Sequence, residues 1–221
     1  MTANQDALPP GALTPLARSV LAAGEHARDF ALVSRTLCEL PDGTPESDTD
    51  HTVMLAWIAP ALAAATEPGL DPGLVAQFAL VHDAVEVFAG DTFTLRIDAA
   101  GRAAKKAREE QAVRRWHASL GATLPWLPAM ISRYEAQREP EARFTRAADK
   151  LCPVISHLAC ESRDMHAFGV TAAELEAILA REMSEMRQYA GEFTRLLALR
   201  AELSATLVAM LRDREREASL R

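Results

Sequence analysis

Alanine fills 43 of the 221 positions, and no other feature of the sequence constrains the fold as strongly. Alanine is the best helix former, because it loses no side-chain entropy in a helix and buries no polar group there. Glycine, which weakens helices, is scarce at 10 residues, and aromatic residues make up only 5% of the chain. Strands favour β-branched and aromatic side chains, so this composition argues against a sandwich, a barrel or a parallel α/β sheet. The expected fold class is all-α, a helical bundle. A chain of 221 residues can bury a real core without disulfide or structural-metal staples. Its length suits one domain with an appendage.

The formal net charge is −7. A dedicated nucleic-acid binder carries a basic surface, so no nucleic-acid polymer is expected as a partner. Small anions stay compatible, because a metal ion can make a site locally positive. The three cysteines, Cys38, Cys152 and Cys160, are odd in number and form no C-x-x-C pair. That favours a reducing, cytoplasmic setting over a disulfide framework. The start of the sequence lacks a secretory pattern. The longest apolar run, residues 53–65, is too short to span a bilayer and contains Pro60, so no membrane is expected.

Capping signals punctuate the chain. Thr14-Pro15 and Asp71-Pro72 each read as an N-cap followed by proline at the first helical position. Helices are expected over 14–40, 51–66, 71–88, 99–120 and 140–167, with Pro60 kinking the second. A chain break and restart is expected at Leu124-Pro125-Trp126. Loops are expected at 41–50 and 89–98. Thr171-Ala-Ala-Glu174 is a capping box opening further helices to about 216, with a break at Gly191. The last ten residues read as a solvated tail. The organisation expected is a flexible N-terminus at 1–13, a main domain at 14–168 and a C-terminal helical extension at 169–221 packed on it.

One segment carries chemistry: His82-Asp83-Ala-Val-Glu86-Val-Phe-Ala-Gly90-Asp91. His82 and Asp83 end an apolar helical face, and Glu86 follows at helical spacing. Imidazole with carboxylates is a ligand set for a divalent metal. One dipeptide cannot hold an ion alone, so other helices must contribute. His51, opening the preceding helix, is one candidate. Asp149, an acid amid apolar neighbours in Arg146-Ala-Ala-Asp149-Lys150-Leu151, is the other. His26, His117, His157 and His166 read as ordinary histidines. Trp57, Trp116 and Trp126 read as core or interface residues. Residues 102–115 read as an exposed charged helix face with pairs such as Lys106–Glu110, and Lys150 as a surface salt-bridge partner.

The ordered set resembles the HD-domain metal-dependent phosphohydrolases, and within them the bacterial 5′-deoxynucleotidases and their HD-domain relatives. HDAVEVFAGD corresponds to the subgroup's H-D-x-x-E-x-x-x-G-D. Asp50-His51-Thr52 stands for its first histidine, Ala148-Asp149-Lys150-Leu151-Cys152 for its later aspartate run, and Arg35 for its phosphate-binding arginine on the first helix. The resemblance covers about residues 14–165. Thr36 stands where the family commonly has tryptophan, the loop over 40–46 differs, and the Gly-Tyr-Pro signature of the cyclic-dinucleotide phosphodiesterases is absent.

The resemblance implies an HD-domain helical bundle with additional C-terminal helices. It implies that His51, His82, Asp83 and Asp149 hold one divalent cation (Co, Mn, Mg, Zn, Ni or Fe). Arg35 would neutralise the substrate phosphate. Glu86 would orient or deprotonate the attacking water or protonate the leaving 5′-oxygen; Asp91 would protonate that oxygen or bind the 3′-hydroxyl. The substrate implied is a small nucleotide, a (deoxy)nucleoside monophosphate hydrolysed to nucleoside and phosphate, and the assembly a homodimer or other homo-oligomer. The alternatives are a (d)NTP triphosphohydrolase on the same site and a helical interaction module with an inactive site.

Overall fold

The computed structural model describes residues 12–92 and 97–220. The expected flexible segment at 1–13 falls almost wholly outside them, as does the centre of the expected loop at 89–98. Among the described residues the fold is helical, with one two-stranded sheet. Helix α1 (Pro15–Phe30) starts where Thr14 Oγ1 accepts from Ala17 N at 3.1 Å. It stops ten residues short of the expected end. Strands β1 (Ser34–Glu39) and β2 (Pro45–Ser47) follow as an antiparallel hairpin. Arg35 therefore sits on a strand and not on the first helix. The ladder is irregular: Ser34 pairs with Ser47 and Glu39 with Pro45, so five residue steps of β1 oppose two of β2. Such a bulge re-aims side chains. Leu37, at its centre, holds a left-handed φ of 67°.

Helix α2 (Asp48–Thr66) begins earlier than expected. Ser47 caps it in a reciprocal box with Asp50, and Pro60 lies inside it. Helix α3 (Pro72–Val81) is capped by Asp71, whose Oδ1 accepts from Gly73 N at 2.8 Å. The single helix expected over 71–88 is broken. After Val81 the backbone tightens into three-residue turns, Ala84 N to Val81 O and Glu86 N to Asp83 O. A short α4 (Glu86–Ala89) then ends at Gly90, whose φ of 71° suits glycine. The remaining helices are α5 (Ala99–Leu120), α6 (Trp126–Ala136), α7 (Pro140–Asp149), α8 (Cys152–Ala159), α9 (Arg163–Ala167), α10 (Ala172–Ala190) and α11 (Thr194–Ser219). The long helix expected over 140–167 is thus three. Pro153 removes a backbone donor at the first break, and Glu161 and Ser162 both take left-handed φ values at the second. The expected tail is helical to Ser219.

Small side chains let the central helices approach closely. Ala59, Ala63, Ala79, Ala147 and Ala148 are fully buried between α2, α3 and α7, alongside Leu55, Val75 and Phe144. A second cluster joins α3 to α5 and α6 through Phe78, Trp116, Ile131 and Tyr134. A third joins α8 and α9 to α10 and α11 through Val154, Met165, Leu175 and Leu207. Of the three tryptophans only Trp116 is core; Trp57 is 77% exposed and Trp126 half exposed. No helix among the described residues is long and apolar enough to cross a membrane.

Candidate metal centre

Three helical segments bring four side chains together. His51 stands in the first turn of α2, His82 and Asp83 in the turn after α3, and Asp149 at the end of α7. His51 Nε2 is 2.8 Å from Asp149 Oδ1 and 3.8 Å from Asp83 Oδ2. His82 Nε2 is 3.0 Å from Asp83 Oδ2 and 3.8 Å from Asp149 Oδ1. Donors held at about 2.0–2.2 Å from one ion stand roughly 3–3.5 Å apart, so this ring has the dimensions of a single-cation site. The imidazole tautomers also fit. His82 Nδ1 donates to the Ala79 carbonyl at 2.8 Å, which leaves Nε2 its lone pair. That Nε2 is buried and makes no hydrogen bond among the described residues. His51 Nδ1 faces Glu46 Oε1 at 3.5 Å. Glu46 is fixed in turn by Ser156, whose hydroxyl donates to Oε2 at 2.5 Å. A carboxylate behind a ligating histidine sets its tautomer and orientation.

Further carboxyl groups crowd the same place. Asp48 and Glu86 are buried, and among the described residues Asp48 Oδ2 and Glu86 Oε2 have no hydrogen-bond partner. One oxygen from each of Asp48, Asp83 and Glu86 lies within 4.8 Å of the others. Carboxylates this close need protons or a cation between them. Burial and the charge of Asp83 push Asp48 up to about 6 and Glu86 up to about 10. Lys105 Nζ, 3.3 Å from Glu86 Oε1, works against that rise. Burial also disfavours the charge of Asp83, but the adjacent His82 holds its carboxylate well below the usual range. Asp149 is held down likewise, by Lys150 at 2.9 Å and His51. Burial disfavours a charged His51, yet its hydrogen bond to Asp149 and the nearby Glu46 push it up to about 9. The site is therefore a concentration of negative charge that already attracts protons, and it suits a divalent cation.

Arg35 enters from the β1 bulge. Its Nη1 donates to Asp83 Oδ2 at 3.0 Å and to Asp48 Oδ1 at 3.3 Å. The next residue, Thr36, donates its backbone N–H to Asp91 Oδ2 at 3.2 Å, so Asp91 folds back beside the bulge. Arg35, Thr36 and Asp91 line one side of a cavity of about 120 Å³. All seven residues expected from sequence thus lie in one neighbourhood, five around the donor ring and Glu86 and Asp91 flanking it.

The sequence pattern of the HD-domain family matches residues 33–190. The chain belongs to that family. No curated protein gives a significant match. The HD domain here resembles a solved protein of Magnetospirillum magnetotacticum MS-1, described as a predicted metal-dependent phosphohydrolase. The two share 26% identity over 87% of this chain and 95% of that one, with a TM-score of 0.67. A Pyrococcus horikoshii OT3 protein, at 21% identity over 83% of this chain and 99% of its own, has a TM-score of 0.54. A conserved hypothetical protein of Pyrococcus furiosus, at 19% identity over 76% of this chain and 99% of its own, scores 0.50. These two share the fold.

Sequence reasoning passed over four residues of this HD domain. Glu46 and Asp48 sit in a Pro/Asp-rich stretch that reads as a solvated loop, yet both are buried. Lys105 lies in the charged run expected to be exposed, but it reaches Glu86. His157, which reads from the sequence as ordinary, is buried, with Nδ1 2.6 Å from Asp164 Oδ2. His157, Cys160 and Asp164 form another group of possible donors. There, however, the histidine and aspartate already bond each other, and burial pushes the Cys160 thiol up to about 11.

Proposed function

We propose that this HD-domain enzyme, a divalent-metal-dependent phosphohydrolase, removes the 5′-phosphate of (deoxy)nucleoside monophosphates. His51, His82, Asp83 and Asp149 would hold the ion. Bound there, it would polarise the phosphoryl group and lower the pKa of a coordinated water. The observation that carries the reading is the position of Arg35: one guanidinium, 3.0 Å from a donor carboxylate, in a centre otherwise rich in negative charge. Its planar fork can take two oxygens of a single phosphate. Glu86, buried beside the donor ring with Lys105 Nζ 3.3 Å from its Oε1 and its carboxyl pushed up by burial, would give a proton to the leaving oxygen. With a cation held by the donor ring, the Glu86 carboxyl would shift down toward the range where a general acid works well. Asp91, tethered to Thr36 N, would bind the sugar hydroxyl. The Magnetospirillum relative's description as a metal-dependent phosphohydrolase supports the reaction class. The working unit is proposed as residues 14–168 with 169–221 packed on it.

The test is turnover of deoxynucleoside mono- and triphosphates with Co²⁺, Mn²⁺ or Mg²⁺, the products being resolved. Nucleoside plus inorganic phosphate from a monophosphate is the expected result. Release of triphosphate from a dNTP would replace this reading with a triphosphohydrolase, and no turnover with any ion would overturn it. The Asp83→Ala variant is expected to lose both bound metal and activity; retention of both would remove the metal assignment.

A further inference from the structure

The cavity beside Arg35 has a second wall that the metal centre does not explain. Its far side is built by His157 on α8, Leu175, Ile178 and Leu179 on α10, and Leu207 on α11. We propose that this is the leaving-group subsite, that the C-terminal helices close it, and that His157 reads the nucleobase. The proposal rests on the nucleotidase reading above and names the part of the molecule that would give it selectivity.

Three observations carry it. The first is position: Arg35, which donates to Asp83 of the metal centre, lines this cavity together with Thr36 and Asp91. A phosphate held at Arg35 therefore has this space beside it for the rest of the molecule. The second is size and surface. A cavity of roughly 150 Å³ takes one benzene ring, and this one, about 120 Å³, sets leucine and isoleucine beside an about equal share of polar surface, which suits a flat ring carrying nitrogens and carbonyls. The third is the polar inventory. A ligand pocket is mostly apolar with a few fixed polar groups that set orientation. Lys150 is committed to Asp149 at 2.9 Å. Arg200 is committed to the Lys150 carbonyl, to Ser204 and to Glu182. His157 differs. Its Nδ1 is bound to Asp164, itself buried and anchored by Met165 N at 2.7 Å, so the ring is fixed, and among the described residues its Nε2 takes no hydrogen bond. An edge-on hydrogen bond from a locked imidazole to a ring nitrogen or carbonyl is the recognition this geometry provides.

The test compares, in the full chain, a deoxynucleoside monophosphate with 2-deoxyribose 5-phosphate, which has the same phosphate and sugar but no base. His157→Phe keeps a ring and removes its nitrogens; Ile178→Trp fills the cavity from the α10 side and carries the test if the first variant does not fold. His157→Phe is expected to raise KM for the nucleotide about tenfold, the loss of one hydrogen bond in a desolvated site, with kcat little changed. Ile178→Trp is expected to abolish nucleotide turnover. Both should cleave 2-deoxyribose 5-phosphate as the unmodified protein does. If the folded variants keep the original nucleotide KM, or lose the base-free substrate to the same extent, the subsite is wrong. If the unmodified protein cleaves no nucleotide, the nucleotidase reading fails first and the subsite with it.

Discussion

Glu46 stands behind His51, 3.5 Å from its Nδ1, and is anchored from the other side by Ser156. Removing its charge without changing its shape tests whether it orients a ligand. Glu46→Gln is expected to weaken metal binding about 10–100-fold, measured by calorimetric titration with Co²⁺ or Mn²⁺. His51 adds a pH dependence whose sign is fixed. Its pKa is raised to about 9, and a metal ligand must be the neutral imidazole, so binding releases its proton at any lower pH. Affinity should therefore rise with pH between 6 and 8, by up to about tenfold per unit, with proton release visible in buffers of different ionisation enthalpy. At this scale the residues that converge were legible because the ordered set His51, His82-Asp83 with Glu86 and Asp91, then Asp149 is specific where a His-Asp pair alone arises often by chance. Glu46 and Asp48 were not, because an acid in a turn-rich stretch looks the same whether it faces water or a buried imidazole.

The elements were legible where a cap marks them and illegible where the chain stops without one. Thr14, Asp71 and Thr171 all cap helices as the sequence indicates, Thr171 by accepting from Glu174 N at 3.1 Å. Thr171→Ala should cost about 1 kcal/mol and lower Tm by roughly 2–4 °C for a domain of this size. The end of α1 and the break after Val81 carry no such signal. In both places tertiary demands override local preference: β1 bulges to bring Arg35 to the donors, and α3 yields where His82 and Asp83 face the site. Gly90 then turns the chain with φ 71° so that Asp91 can meet Thr36. Gly90→Ala is expected to cost about 1 kcal/mol by forcing a side chain into that region. Its effect on turnover should exceed its effect on Tm, since it displaces Asp91.

Across the molecule, the alanine content and the all-helical reading agree with the observed bundle, while the part played by α10 and α11 had no motif to announce it. Arg200 shows why they matter. It is fully buried, and its guanidinium joins α11 to the carbonyl of Lys150, the residue after Asp149, and to Glu182 on α10. Arg200→Ala leaves that carbonyl and Glu182 unpaired and opens a void. It is expected to destabilise the chain by about 3 kcal/mol, with Tm falling by roughly 6–12 °C and metal affinity falling with it. The convergence of Asp48, Asp83, Glu86 and Asp149 has a consequence for measurement as well. An ion held by His51, His82, Asp83 and Asp149 would bind the folded chain and not the unfolded one, so each occupancy would be recorded as heat resistance. At a hundred times its dissociation constant, a cation adds about 2.7 kcal/mol. A melting curve recorded across a panel of divalent salts therefore ranks the ions by affinity before any substrate is known, and the protein serves as its own metal electrode.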